Sequence, residues 1–268
     1  MKYRTPIISI FASSMALSLI CVAPAYAGSG DTYLRPAVKV GQHLSDVFSK
    51  TVSIRGAGFD EYDKRIAGSA NYTVTAVTSK GITFDSDYRY DGYSEGSGGY
   101  QVLQDGITNC FQGQCSVNDQ TSGVLFNPYL WGDIPKDVQA GSTWKGTIAQ
   151  PWEIGPSGSE QVQVLRLDAA DGVITLSRAG TGSGPSSDDQ AREKSGKPVV
   201  ITKDGKQIEV SVIPGESHWS GLTTVCRGVI VSDEIMVERH VTLVTKTGEK
   251  FEAEQRTYTL LDLSSDAV

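Results

Sequence analysis

The chain has 268 residues, with 31 acidic against 24 basic side chains, a formal charge of −7 at pH 7 and 39% hydrophobic residues. A chain of this length buries roughly 70% or more of its unfolded surface, so it fills a core without needing a disulfide scaffold. The acidic balance excludes nucleic acid and anionic membrane surfaces as partners, because no local basic patch reverses the field.

The first 27 residues have the three parts of a secretory signal peptide: Lys2 and Arg4, an apolar run from Ile7 to Val22, and the small residues Ala25 and Ala27 around Tyr26. The run is too short to span a bilayer, and no later segment approaches the roughly 20 apolar residues of a membrane helix. A lipoprotein site at Cys21 fits poorly, since Leu19 and Ile20 stand where small residues are needed. The expectation is a leader at 1–27 and a single β-sheet domain at 28–268, working in the periplasm or outside the cell.

Strand signals dominate after the leader: short β-branched and aromatic runs, punctuated by many of the 29 glycines and ten prolines, with almost no helical periodicity. Val38, Gly41 and Leu44 open the domain with a spacing that returns at Val138, Gly141 and Trp144, and with one residue inserted at Val212, Gly215 and Trp219. A hairpin follows each copy, which reads as an internal repeat of three units lying side by side. The first hairpin runs from Asn71–Val77 to Ile82–Tyr88, placing Tyr88 and Tyr90 on one strand face. Cys110 and Cys115 bracket a four-residue turn in the next, where opposed strands set them at disulfide distance. Cys226 is then left over, buried in a strand or paired with another chain.

Further hairpins run from Gln161–Leu167 to Val173–Arg178, from Val199–Thr202 to Gln207–Val212 across Asp204 and Gly205, and from Met236–Val244 to Phe251–Leu260. In the last, Val237, Arg239, Val241 and Leu243 share a face. Between them lies a Gly/Ser/Asp/Lys-rich connector, 179–198, expected as a mobile loop or a lid. It contains a short helix at Ser187–Lys194 with Gln190 as the capping-box partner. The fold class is all-β: an antiparallel meander of repeated hairpins, curled into a half-barrel or folded into a sandwich, with little helix. This architecture, though no motif, resembles the open half-barrels of periplasmic lipoprotein carriers.

Catalytic signatures are weak. Gly92, Ser94 and Gly96 fit the pattern of a nucleophile elbow, but the following Ser97, Gly98 and Gly99 do not open the helix such an elbow requires. Gly180, Gly182 and Gly184 resemble a phosphate loop in composition only, because Pro185 follows where a helix must begin. Asp85, Asp87 and Asp91 miss the register of a calcium loop, with Arg89 at its third position. Asn71 heads a formal glycosylation sequon, but within a strand. His43, His218 and His240 lack ligand spacing to a cysteine, so neither metal nor cofactor is called for.

Aromatic residues carry the strongest site signal. Phe126, Tyr129, Trp131 and Trp152 lie among turn residues where full burial is hard, and Tyr88 and Tyr90 form a second group. They make a platform for a lipid, sugar or peptide, and the expected function is non-enzymatic binding of a hydrophobic or amphipathic ligand, or of a protein partner, on the sheet. The alternatives are a secreted hydrolase using Ser94 or a histidine, and an envelope interaction or structural protein whose edge strands pair with other chains.

Overall fold

The structure, a computed structural model, describes residues 33–34, 37–78, 81–90, 95–103, 107–111, 114–118, 135–148 and 151–263, with the backbone alone at 81, 95–103, 107–111 and 114–118. The described residues form one antiparallel sheet, one eight-residue helix and a helical piece at Tyr33 and Leu34. The strands are β1 (His43–Gly56), β2 (Tyr62–Thr78), β3 (Gly81–Tyr90), β4 (Glu95–Leu103), β5 (Ile107–Phe111), β6 (Gln114–Asn118), β7 (Thr143–Ile148), β8 (Gly158–Asp168) and β9 (Val173–Ser183). After helix α1 (Ser187–Lys194) come β10 (Val199–Lys203), β11 (Lys206–Cys226), β12 (Val229–Thr245) and β13 (Lys250–Leu263).

The sheet runs in the order β6-β5-β4-β3-β2-β1-β13-β12-β11-β9-β8-β7, with β10 added to the first part of β11. Two hairpin ladders therefore meet where the first strand pairs with the last, from Asp46 opposite Leu263 to Gly56 opposite Ala253. Every expected hairpin forms, including the tight turn at Asp204 (φ 51°) and Gly205 (φ 73°) and the pairing of Cys110 opposite Cys115. The sheet is open: among the described residues β6 and β7 each have one strand neighbour.

Alternation sets the inner face. Along β12, Ile235, Val237, Arg239, Val241, Leu243 and Thr245 are buried while Glu234, Met236, Glu238 and His240 are exposed. On the inner side Val162, Ile174, Leu176 and Leu243 reach 0% exposure, each contributing about 1.5–3 kcal/mol on burial. Among the described residues there is no second sheet to cover this face, so the sheet curls over its own inner side, with the 151–157 segment packed beneath it and α1 held there by ion pairs.

The turns before β1 and β7 are twins. Gly41 and Gly141 have φ of 82° and 88°, where glycine avoids the strain of a Cβ. Each donates its N–H at 2.8 Å, to the Val74 and Val164 carbonyls respectively, and each following strand partner is bulged just after that valine. Gly215 is different: it lies within β11, at an irregularity between Pro214 and Ser217, with no positive φ. The third copy of the spacing is thus set inside a long strand instead of before one.

The 179–198 connector is not a continuous loop, since Ala179–Ser183 complete β9 and α1 follows. Its cap lies one residue earlier than the sequence suggested: Ser186 is the N-cap and Asp189, not Gln190, closes the capping box. Cys226 is fully buried and is disulfide-bonded rather than left over, its partner lying outside the described side chains.

Candidate functional site

The inner face carries a half-buried aromatic strip at the β1–β3 side. Tyr88 and Tyr90 do share this face, with ring centroids 5.6 Å apart, and Phe48 of β1 meets Tyr90 edge-on at 5.3 Å. Phe48 can lie there because Gly68 opposes it in β2, where a Cβ would stand 2.6 Å from its ring. Lys50 is the next inner-face residue along β1, so the strip leads to a cation. Of the other predicted site residues, Phe126, Tyr129 and Trp131 lie outside the described residues. Trp152 is 1% exposed and packs edge-on against Trp219 at 6.0 Å, so the structure does not bring it to the strip.

α1 docks against the same face by charge. Lys50 donates to Glu153 at 2.7 Å and to Asp188 at 2.5 Å, and Arg239 of β12 grips both oxygens of Asp189 at 2.6 and 2.9 Å. Gln255 accepts from Arg239 at 3.1 Å and donates to Thr257 at 3.3 Å, so β13 orients the guanidinium from behind. The N–H groups of Ser187 and Asp188 donate to the carbonyls of Trp152 and Glu153, at 2.9 and 3.3 Å. Burial works against the Lys50 charge, but Glu153 and Asp188 outweigh it and hold the ammonium above its ordinary pKa. Burial also pushes Asp189 up, yet the hydrogen bonds and charge of Arg239 win and keep it below the usual carboxylate range. For Asp188 burial prevails over Lys50, and its pKa is raised.

A second polar group lies deeper in the core. Arg178 and Glu160, from β9 and β8, are 1% and 0% exposed in their side chains and pair at 3.2 Å, while the Trp219 indole donates to Glu160 at 3.1 Å. Asp233 approaches Arg178 at 3.9 Å and accepts from Thr223 at 2.6 Å; burial raises its pKa, with Arg178 opposing. Removing one partner of such a buried pair costs about 3–5 kcal/mol, because the other charge is stranded. Trp219 also explains Gly180 of β9. A Cβ there would run into its ring, so this glycine makes room for a side chain and not for a phosphate.

The histidines stand apart on the outer side. His43 meets Thr73 at 3.0 Å, His218 lies 3.7 Å from Glu216 with both side chains largely exposed, and His240 is exposed on β12. Ser94 lies outside the described residues.

Sequence reasoning did not single out Lys50, Asp188, Asp189 or Arg178 as site residues. The signal was present for the arginines: Arg239 alternates with Val237 and Val241, and Arg178 with Ile174 and Leu176, and a charge on a greasy face must find a partner. The partners themselves come from other elements, which spacing does not reveal.

No protein-family model matches the chain, and no curated protein matches it either. Among solved structures, an outer membrane channel from Pseudomonas putida F1 aligns over 85% of this chain and 97% of its own, at 8% identity and a TM-score of 0.17, which carries no argument about fold or function. No described helix is long and apolar enough to cross a membrane.

Proposed function

We propose that this chain is an exported, non-enzymatic β protein that holds a hydrophobic or amphipathic ligand on the concave side of its sheet. The half-buried strip of Phe48, Tyr88 and Tyr90 carries this reading, because aromatic rings that keep part of their surface open on the inner side of a curled sheet offer apolar area to a ligand. The leader at 1–27 supports export to the periplasm or beyond, and the twin turns at Gly41 and Gly141 support an internal repeat of two units instead of three. Mass spectrometry of material extracted from the denatured, purified protein tests the function. A bound lipid or other apolar small molecule is expected, with a lower yield from Tyr90→Ala and Trp131→Ala; an empty extract, or equal yields from the variants, overturns the platform.

The facing register of Cys110 and Cys115 supports a disulfide between them. Cys226 is itself disulfide-bonded, and once the leader and its Cys21 are removed the only partners left to it in the chain are Cys110 and Cys115, so its bond competes with that local pair. Peptide mapping without reduction decides: a single linked peptide spanning 110–115 supports the local pair, and a linked peptide containing Cys226 with either cysteine refutes it.

A further inference from the structure

Resting on that reading, we propose that Arg239 and Lys50 form a receptor for an anionic head group, that Asp189 and Asp188 of α1 occupy it in the ligand's absence, and that the ligand is an anionic amphiphile which displaces α1. The Arg239 side chain is 3% exposed, and its fork makes two hydrogen bonds to one carboxylate, the geometry that suits a carboxylate or phosphate from any source. It stands between Val237 and Val241, which are 1% and 2% exposed, and Lys50 stands between Phe48 and Val52 beside the aromatic strip. Cations set among apolar groups on one face complement a molecule with a charged head and an apolar tail.

The present occupant is weakly anchored otherwise. α1 has no buried residue, so it contributes no apolar packing; beyond the two ion pairs it is held by backbone hydrogen bonds from Ser187 and Asp188 and by the cap at Ser186. A competing carboxylate offers Arg239 the same two bonds that Asp189 offers, and its tail adds burial on the strip. A neutral amphiphile leaves Arg239 stranded when α1 moves, which is costly in a desolvated setting.

Equilibrium dialysis of the processed protein against oleate, oleyl alcohol and acetate tests this. Oleate is expected to bind more tightly than oleyl alcohol, and acetate not measurably. Asp189→Asn is expected to tighten oleate binding about tenfold, because the closed state no longer competes. Arg239→Gln is expected to erase the preference for oleate over the alcohol, and Arg239→Lys to restore part of it. Equal binding of oleate and oleyl alcohol, or an oleate affinity unchanged in Asp189→Asn, overturns the head-group receptor while leaving the platform standing. Failure of both long-chain probes to bind wild type and Asp189→Asn overturns the platform as well. If Arg239→Gln does not fold, Asp189→Asn and Arg239→Lys decide between these outcomes.

Discussion

Asp46 is 2% exposed on the inner face of β1, accepting from the Tyr72 hydroxyl at 2.9 Å and the Ala70 N–H at 3.1 Å. Burial outweighs these two donors and pushes its pKa up to about 6 from 3.8. The folded state therefore holds this proton more tightly than the unfolded chain. The linked stability is fully present below about pH 3.8 and lost as pH rises through about 6, amounting to about 3 kcal/mol. Urea unfolding across that window should show wild type losing stability relative to Asp46→Asn as pH rises, with the two curves parallel above pH 7. Parallel curves throughout would mean the carboxyl titrates normally. Nothing near Asp46 in the sequence announced this, because its donors lie in the neighbouring strand. Arg239, by contrast, was visible as an anomaly within its own alternation.

At the scale of elements, the twin turns separate a repeated unit from a coincidence of spacing. Gly41→Ala and Gly141→Ala each place a Cβ at a strongly positive φ in open space, so each should cost about 1–2 kcal/mol through backbone strain alone. Thermal melts should show similar losses for the two. Gly215→Ala has no such φ, and its Cβ would stand 3.0 Å from the His240 carbonyl oxygen, so its effect should follow packing between β11 and β12 instead. Clearly unequal losses at 41 and 141 would count against equivalence. The hairpins were legible because turn chemistry and alternation are local properties. The cap of α1 was not: Asp189 is fixed by Arg239, 50 residues away, and that tertiary contact sets which residue closes the box.

At the scale of the molecule, an all-β open sheet followed from composition, periodicity and turns, whereas its strand order did not. The sequence suggested three hairpin units side by side. The structure instead joins β1 to β13, so the N-terminal ladder lies on one flank, the segment before α1 on the other, and the C-terminal strands in the centre. Such pairings between distant segments are chosen by how inner-face residues fit together, which one strand's pattern does not encode. The resulting curl is what gives the protein an inside. It brings the strip, Lys50, Arg239 and α1 to one concave face, and it leaves Val47, Leu222 and Met236 on the outer one. Photo-crosslinking with a diazirine-bearing fatty acid, followed by peptide mapping, tests this division most directly. Label on Phe48, Tyr88 and Tyr90 is the predicted result; label confined to Val47, Leu222 and Met236, or none at all, contradicts it.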